Sequence, residues 1–156
     1  MASNKAIASW VEEAQRLCQP SDVVWCDGSD EEKRRLTELA VARKELIALD
    51  PDKLPGCYYH RSCPTDVART EHLTFICTPE SIDAGPNNNR MAPADAKQKL
   101  TELFRGAMKG RTLYVVPFVM GPAGSPFSKV GVQVTDSIYV VLNMGIMTRM
   151  GRVALE

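Results

Sequence analysis

The sequence is poor in the residues that most often carry chemistry. Histidine occurs only 2 times in 156 residues, aromatic residues make up 6%, and neither His60 nor His72 stands in a recognisable motif. There is no HExxH pair and no GxxxxGK loop followed by Ser or Thr, so the common zinc-hydrolase and phosphate-cradle signatures are absent. An excess of charge of one sign is missing as well: Lys and Arg total 19, as do Asp and Glu. Without a global positive field nothing gathers nucleic acid or an anionic membrane surface, and any anion site has to be a local cluster. No stretch approaches the roughly 20 apolar residues of a membrane span, and Met1-Ala-Ser-Asn-Lys-Ala-Ile7 lacks the apolar core of a signal peptide. The chain therefore reads as a soluble, cytoplasmic protein with no nucleic-acid or membrane partner.

The 5 cysteines, Cys18, Cys26, Cys57, Cys63 and Cys77, are an odd number without the spacing of a disulfide framework, which suits a reducing compartment. Cys57, His60 and Cys63 lie close enough to raise zinc, but they match no paired CxxC pattern and Pro64 follows at once, so no metal site is assigned. No glycine fingerprint follows the apolar run Val23–Cys26, which argues against a dinucleotide-binding oxidoreductase. Gly121-Pro-Ala-Gly-Ser-Pro126 has glycines, but its prolines remove amides a phosphate cradle needs, and it reads as a connection between strands. Internal repeats and low-complexity tracts are lacking too.

What is present is enough for one domain: 44% of the residues are hydrophobic. Ile7, Trp10, Val11, Ala14, Leu17 and Cys18 recur at helical spacing, and Pro20 closes that helix. Val23–Cys26 reads as a buried strand. Ser29-Asp-Glu-Glu32 is a capping box that starts a helix near Asp30, with Leu36, Leu39 and Ala40 as its apolar stripe. Glu45–Leu49 reads as the next strand, and strand, helix, strand suggests a parallel crossover. Pro51–Thr70 is turn-rich and aperiodic, an exposed connection. Leu73–Cys77 is strand-like, Thr78-Pro79-Glu80 suits one helical turn, and Gly85–Arg90 is turn chemistry. A helix from Pro93 carries Leu100, Leu103, Phe104 and Ala107 on one face and stops at Lys109-Gly110. Thr112–Phe118, Val130–Thr135 and Ser137–Leu142 read as strands. Met144, Ile146, Met147, Met150, Val153, Ala154 and Leu155 suggest a last helix still running at Glu156, with no capping residue, so the chain is expected to be a fragment with an exposed apolar patch at Met147, Met150, Val153 and Leu155. The fold class expected is α/β, a mixed sheet flanked by helices.

Several blocks taken together closely resemble one family. They are Asp66-Val-Ala-Arg-Thr-Glu71, Asp83-Ala-Gly-Pro-Asn-Asn-Asn89, Gly110–Lys129, Val130-Gly-Val-Gln-Val-Thr-Asp136 and Met147-Thr-Arg-Met-Gly151. In this order they resemble the amino-terminal region of GTP-dependent phosphoenolpyruvate carboxykinase, and the likeness runs from about Trp10 to the last residue. The resemblance implies the amino-terminal lobe of a two-lobed, monomeric enzyme that converts oxaloacetate and GTP to phosphoenolpyruvate, GDP and CO2 with Mn2+ and Mg2+. Residues 1–156 would be its substrate-anchoring domain, the carboxyl-terminal catalytic domain with the metal and GTP ligands would be missing, and the chain alone would be inactive. Arg69 matches the family arginine that reaches across the cleft to hold the anionic substrate, and a guanidinium suits a carboxylate or phosphate because its planar fork of donors keeps its charge when desolvated. Without the flanking blocks it would read as a solvated loop arginine.

Glu71 matches a family acid thought to engage the closing lid; its competing reading is an exposed loop carboxylate. Most of Arg111, Lys129, Asp136 and Arg149 are expected in structural ion pairs or helix-end contacts. Arg90, Gly145 and Ile138 depart from the family, which usually has tryptophan, arginine and proline there. The rival from a different class is a stand-alone, non-catalytic anion-binding or regulatory module derived from the same lobe.

Overall fold

The computed structural model describes residues 4–63 and 70–155. Helix α1 (Lys5–Cys18) starts where the Asn4 side chain accepts from the amides of Ala6 and Ile7 at 3.0 and 3.4 Å, and ends at Gln19 in the left-handed region. Strand β1 (Asp22–Trp25) leads into α2 (Asp30–Ala42). The expected capping box is present but shifted on one side. Ser29 Oγ accepts from the Glu32 amide at 3.1 Å, whereas the Glu32 carboxylate accepts from Gly28 N at 2.9 Å, and Ser29 N donates instead to Asp27 Oδ1 at 2.8 Å. Glu32 is thereby buried with a hydrogen-bond partner, as a buried carboxylate requires.

After α2 the chain reverses at Lys44, φ 62, and the amides of Glu45 and Leu46 bond back to Ala40 O. This turn overturns the expected parallel crossover. Strand β2 (Ile47–Ala48) pairs antiparallel with β3 (Tyr58–Tyr59) in a separate hairpin, with only Leu46 of the apolar run buried. The helix α3 spans Pro93–Phe104, then β4 (Thr112–Met120), β5 (Lys129–Thr135), α4 (Ile138–Met147) and β6 (Arg149–Met150) follow.

The sheet is mixed. β1 runs parallel to β4 from Asp22 opposite Thr112 to Trp25 opposite Val115, while β5 and β6 are antiparallel to β4. β4 has helices on both sides, so Tyr114 and Val116 point into a core with Leu36, Ala40, Ile138 and Val141, and Leu113 and Val115 into another with Val11, Cys18 and Met108. An unbroken apolar strand is the sequence form of this two-sided burial. Leu113, Val115 and Val116 are fully buried, each worth about 1.5–3 kcal/mol relative to exposure. Pro117 also lies in this central strand, where a missing N–H would break a ladder. It is tolerated because the partner on that edge changes there, from β1, whose flank reaches Val115 O through Cys26 N, to β6.

The two ends of the chain's apolar pattern differ from expectation. Ser137–Leu142 is not a strand: Ser137 Oγ caps α4 by accepting from Val140 N at 3.4 Å, and Ile138 and Val141, three apart, drop into the core. Packing at helical spacing overrides the β-branched propensity. The expected terminal helix is likewise corrected. α4 stops at Met147, Thr148 is extended, β6 pairs with Phe118 and Val119, and a 3-10 turn covers Arg152–Ala154. Met150 packs on the core, leaving Met147 and Val153 exposed and Leu155 half-buried rather than one continuous patch.

Two backbone turns meet where β1 and β6 end. Gly28 (φ 74) and Gly151 (φ 87) face one another so closely that an added Cβ would stand 2.2 Å from Met150 O or 2.0 Å from Asp27 O. Gly151→Ala is expected to lower the unfolding free energy by about 3 kcal/mol or more, combining backbone strain with a clash against unyielding main chain. Gly124→Ala, with φ +74 and nothing within 4 Å of the added Cβ, should cost only about 1–2 kcal/mol, and urea midpoints of the two variants measure the difference.

Cys26, beside Glu32 at this junction, has its thiol pushed up to about 12, chiefly by burial and then by the Glu32 charge. Above the ordinary thiol value of 9.0 an unfolded chain releases this proton and the folded chain retains it. The unfolded state then binds fewer protons, so this group's contribution to stability falls as pH rises from about 9 toward 12 and is constant below that window. Denaturation midpoints across that range should fall less steeply in Cys26→Ala than in the parent protein.

Candidate functional site

Arg69, the principal residue expected to bind substrate, lies outside the described residues. Glu71 is described and exposed, at the start of a 3-10 turn, Glu71–Leu73. Leu73 N donates to Thr70 O at 2.9 Å, Thr74 N to Glu71 O at 3.1 Å, and Thr74 Oγ1 to Thr70 O at 2.9 Å. So short a turn is weak by itself. The expected strand Leu73–Cys77 does not form: only Ile76 pairs, in a parallel bridge with Arg90. The brief helical turn expected at Thr78–Glu80 comes slightly later, as a 3-10 turn over Ser81–Ala84.

Support for this segment comes from three consecutive side chains that the sequence showed only as turn chemistry. Asn89 Nδ2 donates to Glu71 O at 2.8 Å and to Thr74 O at 3.3 Å. Asn88 Nδ2 donates to Ala84 O at 2.7 Å, and Arg90 Nη2 to Thr78 O and Pro79 O at 3.1 and 2.5 Å. Main-chain bonds from Ile76 N to Asn89 O and from Met91 N to Ile76 O run between them. The residues 88–90 form a clasp along the segment that begins at Glu71, and Arg90, which departs from the family, earns its place as a donor to two carbonyls. The signal available in sequence was a run of side chains suited to bonding nearby backbone.

The clasp is tied to the body of the protein through α3. Pro93 stands at the first helical position, and beyond the helix Gly106 N donates to Leu17 O and Met108 N to Cys18 O, fastening it to the end of α1. α3 ends at Phe104 rather than at Lys109-Gly110, because Gly106 turns with φ 68. Leu100, Leu103 and Phe104 form its expected apolar face yet are exposed. With Leu73, Phe75 and Met91, the first two line a mainly apolar groove of about 340 Å³, and Lys99 Nζ sits 5.9 Å from the Phe75 ring centre.

Elsewhere among the described residues several polar groups are engaged in structure. A cavity of about 290 Å³ lies at the start of α2 and the end of α4, but the first turn of α2 is acidic, unlike an anion site. Arg111 pairs with Asp136 at 2.7 Å as expected, whereas Arg149 Nη1 donates to the turn carbonyl of Gly121 at 2.7 Å rather than to a carboxylate or a helix end. His60 stacks on Tyr139 with ring centres 3.9 Å apart while its Nδ1 lies 2.7 Å from Glu45 O. Gly145 faces the Met150 sulfur, which an added Cβ would meet at 3.3 Å, and Ile138 is fully buried, so both departures from the family have packing reasons.

Residues 9–156 match the phosphoenolpyruvate carboxykinase N-terminal domain. The chain belongs to that family. The carboxykinase-type domain seen here is the mixed α/β fold expected of the amino-terminal lobe. Phosphoenolpyruvate carboxykinase (GTP) of Anaeromyxobacter dehalogenans strain 2CP-C is 62% identical over 154 residues, which is 99% of this chain and 26% of the relative. The protein of the same name from Corynebacterium efficiens is 51% identical over 99% of this chain and 25% of its own length. That of Neocallimastix frontalis is 50% identical over 98% of this chain and 25% of the relative. The chain thus spans about a quarter of the length of the curated relatives it matches.

Proposed function

We propose that this carboxykinase-type domain is the substrate-anchoring part of a GTP-dependent phosphoenolpyruvate carboxykinase. The observation that supports the reading is the 62% identity over 99% of the chain to a protein of that name. In the reaction the C–C bond to the departing carboxylate of oxaloacetate breaks to release CO2, and the enolate oxygen forms a bond to the γ-phosphorus of GTP as GDP leaves. Arg69 anchors the anionic substrate with a forked pair of charge-assisted hydrogen bonds. Glu71 meets a closing lid, which protects the enolate from water before phosphoryl transfer.

The metal ions and GTP that such an enzyme uses supply electrostatic stabilisation of the transferring phosphoryl group. Among the described residues no group of three or more His, Cys, Asp and Glu is arranged to hold a metal ion. Neither the divalent ions nor GTP is assigned to a residue of this chain. The 156-residue chain by itself is read as inactive because it spans about a quarter of the length of the relatives it matches.

The reading is tested with the product of the complete gene. Arg69→Ala should raise KM for oxaloacetate and lower turnover, a combined loss of about 1.5–3 kcal/mol in transition-state stabilisation, while leaving GTP affinity nearly intact. Kinetics equal to the parent's would remove Arg69 from the site.

Calorimetry on the isolated chain separates the enzyme domain from a regulatory module. Arg69 by itself should bind phosphoenolpyruvate or oxaloacetate no more tightly than roughly millimolar. Micromolar affinity would favour the module.

A further inference from the structure

We propose that Asn89 is a positioning residue for Glu71, holding the backbone of the turn from which that carboxylate projects. The inference rests on the carboxykinase reading above for what Glu71 does, but its geometric basis is independent of it. Asn89 is the one described residue whose side chain donates to both Glu71 O and Thr74 O, at 2.8 and 3.3 Å. These carbonyls flank the 3-10 turn Glu71–Leu73, so a single amide nitrogen with two hydrogens ties the beginning of the turn to the residue just past its end. The chemistry selects asparagine. Aspartate has nearly the same shape but sets oxygens against two carbonyl oxygens, and alanine leaves both acceptors to water.

Asn89 is itself placed by main chain, since its carbonyl accepts from Ile76 N at 2.8 Å. Two residues further on, Met91 N donates to Ile76 O at 3.3 Å, and the chain then enters α3, beyond which Gly106 N and Met108 N bond to the end of α1. The position of Glu71 is therefore referred through Asn89 and α3 to the body of the domain. The neighbouring donors do not share this role: Asn88 holds Ala84, and Arg90 holds Thr78 and Pro79. Asn89 is exposed and belongs to neither core cluster, so replacing it leaves the fold's main packing intact.

The test compares Asn89→Asp, Asn89→Ala and Asn89→Gln in the product of the complete gene, with Asn88→Ala as the control. The Asp and Ala variants should lose roughly threefold to tenfold in kcat/KM for oxaloacetate, the scale of about one net hydrogen bond, with KM for GTP unchanged. Gln retains the two-donor amide and should recover part of the loss. Asn88→Ala should keep the parent's kinetics. Independently of activity, hydrogen exchange at the amides of Leu73 and Thr74 should accelerate at least about threefold in Asn89→Asp and not in Asn88→Ala. Unaltered exchange in Asn89→Asp overturns the inference whether or not the protein turns over oxaloacetate. Accelerated exchange with unchanged kcat/KM overturns Asn89 as a positioning residue while leaving its hydrogen bonds in place. Absence of carboxykinase turnover in the unsubstituted protein would instead sink the functional reading, and the exchange arm would still decide the hydrogen-bond part of the inference.

Discussion

A strand that is dry on both faces constrains everything around it. β4 exposes no face to water along Leu113–Pro117, so its peptide groups need partners on both edges and its side chains need cover above and below. β1 and β6 share one edge and β5 takes the other, while α1 covers one face and α2 with α4 the opposite one. Much of the remaining geometry serves this arrangement. The Arg111–Asp136 pair sits where β4 begins and β5 has just ended, and the Gly28–Gly151 contact lets the turns that follow β1 and β6 pass at main-chain distance.

The parts of the fold legible in the sequence are those in which local preference and long-range packing agree. α1 has a helical apolar stripe, Ser29 is a cap that really caps, and Thr112–Phe118 and Val130–Thr135 combine β-forming residues with a place in the sheet. The failures lie where the two disagree. Ser137–Leu142 contains strand-forming residues, but Ile138 and Val141 fill the core only if wound as a helix. Glu45–Leu49 has the composition of a buried strand, yet the left-handed turn at Lys44 and the bonds back to Ala40 O send it into a peripheral hairpin. No local pattern could have paired β1 with residues ninety positions later, since parallel partners are chosen by sheet-wide burial.

The candidate site shows the same division. Family resemblance picked out Glu71 and Arg69 by matching motifs, and Glu71 is found on an exposed turn. Its supports are not legible there, because Asn87-Asn-Asn-Arg90 signals a turn without saying which carbonyls its side chains will reach. The site segment consequently differs in kind from the core. Among the described residues it is held mainly by directional bonds to exposed main chain, each modest in net worth, and it leads into a helix with an exposed apolar face. Such a region can adjust by small rotations without disturbing the buried clusters.

Pro117 gives the sheet a built-in seam. Because it contributes no hydrogen to the edge shared by β1 and β6, the two partners are not stitched to each other through consecutive rungs of β4. β6, only Arg149–Met150 long, is held there by its own short pairing and by Gly151 N on Pro117 O at 2.8 Å. The parallel pairing of β1 is completed upstream of that point. Fraying of the late strand can therefore stop at the proline without unzipping the β1–β4 ladder.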